Sequence, residues 1–323
     1  MKYFENKYTK LQERKKNIIQ ALASLATNAN LKGFFEGRIY TGNTKVACVP
    51  GLNCYSCPGA VGSCPIGSLQ AVIGSKKFSI SYYVFGIMIL IGALFGRLVC
   101  GLLCPFGFVQ DLLYKIPTPK FKIPEKVDRP LRYLKFVILL VFVILLPMFL
   151  TNQFGLGAPY FCKLICPAGT LGGALPLLAK NEGLRNTIGF LFFWKLSILT
   201  VIVALSIFTY RPFCRYICPL GAFYSFFNKI GFYKMEFVSD KCVNCGLCER
   251  SCKMDINVRA NPNSLECIRC GACTAACRHD ALVMTYAGLG KKKEEKSVNV
   301  KACKSNCRGC ANVEHCLQPR CSV

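Results

Sequence analysis

Long apolar runs, rather than alternating or heptad patterns, dominate the first two thirds of the chain. Two of them, 133–151 and 188–210, are mostly apolar with a single charged residue each, a lysine, and reach the length of about 20 residues that a helix needs to cross a bilayer. A third run, 80–99, is nearly as clear, and a fourth, 17–35, is interrupted by polar residues and predicts a short or half-inserted helix. The pattern predicts an all-α transmembrane domain of about four helices over 17–232.

The distribution of positive charge predicts the orientation of this domain in the membrane. The chain has 41 Lys and Arg against 16 Asp and Glu, and the basic residues cluster at the N-terminus, 1–16, and in the loop after the third run, 115–135. Positive loops stay on the cytoplasmic side. We therefore predict a multi-pass protein of the plasma membrane whose N-terminus and C-terminal third are cytoplasmic. If 17–35 does not cross, 36–79 returns to that side. A nucleic-acid partner is disfavoured because the cations flank apolar spans.

An internal repeat organises the apolar part. Residues 97–116 (RLVCGLLCPFGFVQDLLYKI) and 211–230 (RPFCRYICPLGAFYSFFNKI) align without a gap and share an Arg, a C-x3-C-P motif and a Gly. A shorter pair, CPIGSL at 64–69 and CPAGTL at 166–171, matches as well. The chain thus reads as a tandem duplication of a two-helix unit, with Cys-Pro elements at opposite ends of the spans.

The repeated cysteines are candidate metal ligands. Residues four apart lie on one face of a helix, so the repeat is expected to bring together four thiolates on the cytoplasmic side, those of Cys100, Cys104, Cys214 and Cys218. The other face holds six cysteines, Cys48, Cys54, Cys57, Cys64, Cys162 and Cys166, of which we select Cys57, Cys64, Cys162 and Cys166 as metal ligands. Two alternatives stay open: cysteines that pack as small apolar residues, and dithiols that relay electrons. Lys195, inside the last span, is expected to snorkel to the interface rather than to serve a site.

The strongest motif in the sequence lies in 233–288. Two runs of C-x2-C-x2-C-x3-C follow each other, at 242–252 and 267–277. This is the spacing of a bacterial two-cluster ferredoxin, in which the fourth cysteine of each run binds the other cluster. The predicted ligands of the two [4Fe–4S] clusters are Cys242, Cys245, Cys248 and Cys277 for one, and Cys267, Cys270, Cys273 and Cys252 for the other. We expect a small α+β module, and zinc is disfavoured by the number and spacing of the thiols.

The last segment, 289–323, is predicted to be a flexible, cysteine-rich tail. It adds five cysteines, with C-x3-C-x2-C spacing among the first three. A further cluster or a zinc site with His315 is the alternative to a tail without a bound metal. With 23 cysteines in all, ligands in a reducing compartment explain the count better than disulfides do.

C-x3-C-P elements between apolar spans, followed by a two-cluster ferredoxin, resemble a known family. These are the membrane-bound 4Fe–4S proteins related to the quinol dehydrogenase subunits of periplasmic nitrate reductases and to the membrane regulator of nitrous oxide reduction. The resemblance covers about 80–285 and implies electron transfer between a quinone pool and iron–sulfur partners. The segment 48–70 and the tail are additions to the simple subunit. The flavin-attachment signature of the larger regulators does not occur in the sequence, so no covalent flavin is expected.

Our first functional hypothesis is a membrane-bound electron carrier, or a quinol dehydrogenase-like subunit of an oxidoreductase. It would pass electrons between a quinone or an outer-face redox partner and cytoplasmic iron–sulfur carriers. The second is a conduit of thiol reductant that uses the membrane cysteine pairs. A metal transporter is a poor third, because carboxylates and histidines are scarce within the apolar spans. No nucleophile–base pair or phosphate loop predicts a group-transfer enzyme.

Overall fold

The computed structural model describes residues 3, 5–75, 82–152 and 156–286. The predicted tail, 289–323, with its cysteines and His315, lies outside the described residues. The fold is mostly helical. The helices of the first third are α1 (Lys7–Thr27), α2 (Leu31–Glu36), α3 (Pro65–Ile73), α4 (Tyr82–Phe95), α5 (Leu98–Leu102) and α6 (Pro105–Tyr114), with a 3₁₀ turn at Asn43–Val46.

The middle third repeats this alternation of long and short helices. Its elements are α7 (Glu125–Ile138), a π-helical segment Leu139–Leu145, α8 (Leu146–Phe149), α9 (Tyr160–Leu164), α10 (Pro167–Gly169), a second π-helical segment Thr170–Ala174, α11 (Leu175–Lys180), α12 (Glu182–Arg185), α13 (Phe190–Phe208), α14 (Pro212–Tyr216) and α15 (Pro219–Ile230). The helix α7 continues through the π-helical segment into α8 as one helix, Glu125–Phe149.

Two of the described helices are long and apolar enough to cross a membrane, Glu125–Phe149 and Phe190–Phe208. They contain most of the predicted runs 133–151 and 188–210. The third run appears as the shorter apolar helix α4, and its first two residues lie outside the described residues. The fourth run, 17–35, is broken between α1 and α2 at Asn28–Asn30, where the Asn28 N–H closes α1. A bundle of four membrane helices therefore stays a prediction.

Four short helices begin directly after a cysteine, and proline explains why. Proline is favoured at the first position of a helix, where its missing N–H has no partner to lose. Each of these prolines follows a cysteine in extended backbone, with ψ between 112° and 128°. The cysteine side chain is thereby turned back over the first turn of its helix. The four cysteines are Cys64, Cys104, Cys166 and Cys218.

The C-terminal module is built on a two-stranded sheet. Strand β1 (Tyr233–Phe237) pairs antiparallel with β2 (Leu282–Tyr286), in a register that sets Met235 against Met284. Between them lie the 3₁₀ turn Ser239–Lys241 and two short helices, α16 (Leu247–Arg250) and α17 (Ala272–Ala276). Each helix is preceded by a glycine with positive φ, 69° at Gly246 and 77° at Gly271, a conformation that glycine adopts without strain.

The module packs directly on the helical part. The Ile268 carbonyl oxygen approaches Gly101 so closely that a β-carbon there would lie 2.3 Å from it. Helix α1 joins the two parts, since Gln12 donates to the Cys270 carbonyl (3.4 Å) and Lys16 pairs with Asp111 (2.8 Å). All described residues belong to one compact unit, so the contact between module and helices is part of the fold.

Candidate metal centres

The eight cysteines of the module separate into two groups of four. Those of one group line one cavity, and those of the other line a second. The members are the ones that ferredoxin spacing predicts: Cys252, Cys267, Cys270 and Cys273 in the first cavity, and Cys242, Cys245, Cys248 and Cys277 in the second. Within the first group the Cys273 thiol interacts electrostatically with the other three. Burial raises the pKa of Cys267 to about 11 and that of Cys252 to about 12.

A third group of four thiols forms where the two halves of the repeat meet. The Cys218 thiol interacts electrostatically with those of Cys214, Cys100 and Cys104. All four are buried in the main hydrophobic core. Burial raises the pKa of Cys104 and Cys214 to about 11, so a bound metal must displace protons as thiolates form. Because two arginines adjoin it, we call this group the arginine-flanked site.

The two arginines are exchanged between the halves. Arg211 Nη1 donates to the Cys100 carbonyl (2.6 Å), and Arg97 Nη2 donates to the Cys214 carbonyl (3.1 Å). Each guanidinium is fully buried and paired with a carboxylate. Arg211 binds both oxygens of Asp111 at 2.7 and 2.6 Å, and Arg97 Nη1 binds Glu266 at 3.0 Å. The arginines also lower the pKa of Cys100 against the larger effect of burial.

Each of the two carboxylates is paired with two cations. Asp111 faces both Arg211 and Lys16, and Glu266 faces both Arg97 and Lys135. Burial alone would raise the Asp111 pKa, but Arg211 and Lys16 hold that pKa well below its usual range. Arg97 and Lys135 likewise keep the Glu266 pKa low against burial. Both acids are therefore charged at neutral pH and offset part of the positive charge beside the thiols.

Two glutamines of the first half each orient one thiol of the second half. Gln110 Nε2 donates to the Cys214 sulfur (3.0 Å), while its Oε1 accepts the Phe213 N–H (3.2 Å). Gln70 does the same with Cys162 (3.3 Å) and Phe161 (3.0 Å). The signal was present in the sequence as Cys-Pro-x-Gly-x-x-Gln at both 64–70 and 104–110, but the prediction did not use it.

The remaining predicted ligands form a fourth group. The thiols of Cys64, Cys162 and Cys166 interact electrostatically with one another and with Cys54. Cys57, which was selected in place of Cys54, interacts instead with Cys54 and Lys45, and its sulfur lies 3.6 Å from Asn28 Oδ1. The turn after Leu52 points Cys54, rather than Cys57, toward the other three thiols.

The third and fourth groups lie closer together than sites at opposite ends of the spans. A β-carbon on Gly51 would lie 2.9 Å from the Cys104 α-carbon, and the Leu52 N–H bonds to the Cys104 thiol. This differs from the expectation, because the segment before Cys54 folds back onto the arginine-flanked site. Lys195 also differs from the predicted snorkelling lysine, since its ammonium donates to the Cys162 carbonyl (3.2 Å).

Thiolates grouped by fours suit iron–sulfur clusters, whose four irons each take one cysteine. Within the described residues, no group of three or more His, Cys, Asp or Glu side chains is arranged to hold a single metal ion. A single zinc ion needs its sulfurs about 2.3 Å from one point, whereas the cysteines of a cluster bind separate irons.

Comparison with known proteins decides the family. The model of a 4Fe-4S binding domain matches residues 80–124 and 191–236, the two segments that carry the arginine-flanked site. An uncharacterized protein of Methanocaldococcus jannaschii is 34% identical over 207 residues, which are 62% of this chain and 77% of that protein. The chain belongs to the membrane-bound ferredoxin-type 4Fe–4S proteins.

Other members of this ferredoxin-type family are more distant. The methylamine utilization ferredoxin-type protein MauN of Methylobacillus flagellatus is 26% identical over 56% of this chain and 54% of its own length. The regulatory protein NosR of Pseudomonas aeruginosa is 29% identical over 50% of this chain, which spans only 21% of NosR. No solved structure matches the chain. The resemblance to the nitrous-oxide regulator is confirmed.

Proposed function

We propose that this chain is a membrane-bound electron carrier with two [4Fe–4S] clusters in its module and a further cluster at the arginine-flanked site. It would relay electrons between a quinone pool, or a redox partner on the outer face, and cytoplasmic iron–sulfur carriers. When bound, such clusters accept and release single electrons. A quinol donor would give up two electrons, delivered one at a time, and two protons.

One observation carries this proposal: Arg97 touches both cysteine groups that would exchange electrons. Its Nη2 donates to the Cys214 carbonyl at the arginine-flanked site (3.1 Å), and its Nη1 donates to the Leu265 carbonyl of the module (2.7 Å). The same arginine interacts electrostatically with the Cys267 thiol. The sidechain amide of Asn228 strengthens the joint, because it donates to the carbonyls of Ser264 (2.9 Å) and Cys267 (2.8 Å).

These contacts fix the distance between the two groups. Gly101 follows Cys100 directly and meets the Ile268 carbonyl, next to Cys267. A relay needs such fixed, short separations, and a buried route excludes water from the intervening space. The resemblance to MauN and to NosR supports iron–sulfur electron transfer as the shared role, while the donor and acceptor of this chain follow from the proposal alone.

The direct test is iron and acid-labile sulfide per chain on anaerobically purified full-length protein. We expect Cys218→Ala to lose about four irons and a similar amount of sulfide, with the EPR signals of the module retained. The matched control is Cys48→Ala, a partly buried cysteine outside the four groups. An unchanged iron content in Cys218→Ala would rule out a cluster at this site and leave its thiols to dithiol chemistry.

A kinetic measurement then tests the relay. In detergent, reduction of the module clusters by a short-chain quinol can be followed by absorbance after rapid mixing. If the arginine-flanked site lies on the route, Cys218→Ala slows this reduction, while direct reduction of the module by dithionite is unchanged. Equal rates for the variant and the wild type with quinol would place the site off the route.

A further inference from the structure

Three C-x3-C-P elements of the chain share one arrangement of a cation and a carbonyl. In each, a basic side chain from elsewhere donates to the carbonyl of the first cysteine. The pairs are Arg211 with Cys100 at 2.6 Å, Arg97 with Cys214 at 3.1 Å and Lys195 with Cys162 at 3.2 Å.

The same three cations also occupy equivalent positions over the glycine that follows each Cys-Pro. Measured from where a β-carbon would stand, Arg211 Nη1 lies 3.4 Å from Gly107, Arg97 Nη2 lies 3.4 Å from Gly221 and Lys195 Nζ lies 3.6 Å from Gly169. Lys195 thus has the same position relative to 162–169 as the arginines have relative to the Cys-Pro elements of the arginine-flanked site. It places a positive charge beside the thiols, and we call it their charge partner.

The fourth Cys-Pro-x-Gly element, at 64–67, lacks the cysteine four residues earlier, since position 60 is Ala. Cys54 supplies the missing thiol from the preceding loop. Its sulfur lies 3.5 Å from the β-carbon position of Gly169, and the Cys162 sulfur lies 3.8 Å from that of Gly67. Gly169 follows the helix start at Cys166, and Gly67 follows the one at Cys64. Cys54 therefore lies over the helix that begins after Cys166, and Cys162 lies over the helix that begins after Cys64.

Three of the four thiols have the surroundings of their counterparts in the arginine-flanked site. Cys64 and Cys166 accept the N–H of Gly67 and Gly169, as Cys104 and Cys218 accept that of Gly107 and Gly221. Cys162 receives the Gln70 amide, as Cys214 receives that of Gln110. Backbone N–H groups and a nearby cation favour the thiolate that metal binding requires.

We propose that Cys54, Cys64, Cys162 and Cys166 form a second iron–sulfur site in the helical part, with Lys195 as its charge partner. We call it the lysine-flanked site. None of its five residues except Lys195 falls in the segments that match the 4Fe-4S domain model, 80–124 and 191–236. The inference rests on the proposed function, because it gives this site the same class of cofactor.

The lysine-flanked site adjoins the arginine-flanked one. Leu52, whose N–H bonds to the Cys104 thiol, is two residues before Cys54, and two residues of chain span about 7 Å at most. Tyr224 lies between the sites, since its phenol interacts electrostatically with Cys100, Cys104 and Cys64. The lysine-flanked site therefore extends the relay by one step beyond the arginine-flanked site.

The first experiment compares iron and sulfide in anaerobically purified full-length variants. Cys166→Ala is expected to lose about four irons per chain, and Cys57→Ala, on the same loop as Cys54 but outside the site, none. If Cys218→Ala loses iron while Cys166→Ala keeps it all, the lysine-flanked site is overturned and the proposed function stands. If neither variant loses iron, both proposals fail.

A second experiment uses the wild-type chain and so does not depend on a variant folding. Cys54 and Cys162 are only partly buried, so as free thiols they would react with iodoacetamide. We expect mass spectrometry to find them protected in the iron-loaded protein and alkylated at least tenfold faster after anaerobic removal of iron with a chelator and ferricyanide, followed by reduction of the thiols and removal of the reductant. Equal rates of alkylation before and after removal would overturn the proposal.

Discussion

The arginine-flanked and lysine-flanked sites share the Cys-Pro-x-Gly helix start but differ in charge. At the first, each guanidinium is completely buried and neutralised by a carboxylate, Asp111 or Glu266. At the second, no carboxylate of the described residues lies within ion-pair distance of Lys195, which is only partly buried. The same thiol frame therefore stands in two electrostatic settings. Duplication can thus give two sites of different reduction potential without changing the ligands.

The largest effect is expected from removing the acid on which the arginine-flanked site depends. Asp111→Asn leaves Arg211 and Lys16 buried without a counter-charge, and breaking such a buried network costs about 3–5 kcal/mol. Unfolding in detergent, followed by circular dichroism, measures this loss. Glu125→Gln is the control, since its exposed pair with Arg129 contributes no more than about 1 kcal/mol. Similar losses in the two variants would contradict the comparison.

A second prediction concerns the joint between the arginine-flanked site and the module. Gly101→Ala places a β-carbon 2.3 Å from the Ile268 carbonyl oxygen, whereas the β-carbon of Gly86→Ala meets nothing within 4 Å. Overpacking of this kind costs about 1–3 kcal/mol. We expect Gly101→Ala to lower the free energy of unfolding and to slow quinol-driven reduction of the module. A Gly101→Ala protein that matched Gly86→Ala in both measurements would argue against the close joint.

Acid is expected to weaken the arginine-flanked site, because its buried Arg211 is paired with a carboxylate. The folded-state pKa of Asp111 is lowered by Arg211 and Lys16 against burial, so its contribution is complete above the unfolded pKa of about 3.9 and is lost as the pH falls toward the folded value. The contribution of Asp111 to stability is therefore expected to be level above about pH 5 and to shrink below about pH 4.

The measurement is denaturant unfolding of wild type and Asp111→Asn between pH 7 and 3, and the informative quantity is the difference between them. That difference is expected to shrink on acidification, because only the wild type loses this ionic contribution. A difference that stayed constant with pH would show that Asp111 does not act through its charge.

The smallest expected effect is electrostatic tuning at the lysine-flanked site. Lys195→Gln removes an uncompensated positive charge and so lowers the reduction potential of one cluster, by on the order of 40 mV, which is about 1 kcal/mol for one electron. Lys195→Arg keeps the charge and is expected to leave the potential within error of the wild type. Redox titration followed by EPR measures both potentials. An unchanged potential in Lys195→Gln would show that Lys195 is not the charge partner of the cluster.

Local spacing was the most informative part of the sequence. The two apolar spans and the grouping of cysteines in the module follow from composition and from motifs that act over a few residues. The group formed by Cys100, Cys104, Cys214 and Cys218 was also foreseen, because the gapless repeat implies that equivalent thiols meet across the halves. Whether these thiols bind clusters stays a prediction.

What could not be foreseen depends on how distant segments meet. The choice of Cys54 over Cys57 is decided by the path of one loop across Cys104, which no spacing encodes. Lys195 is expected from the sequence to snorkel because it lies one or two turns from the end of its span. Its partner in the structure, the Cys162 carbonyl, is a backbone group that every residue possesses, so the sequence does not single it out. The exchange of Arg97 and Arg211 between halves likewise becomes visible only when both carbonyl partners are known.

The interleaving of the two halves has a consequence for biogenesis. The arginine-flanked site takes two cysteines from 100–104 and two from 214–218, and the lysine-flanked set is divided between 54–64 and 162–166. Neither group is complete while the second half of the chain is still being synthesised. If both groups hold clusters, as proposed, iron and sulfide are expected to be loaded only after the whole helical part has been synthesised.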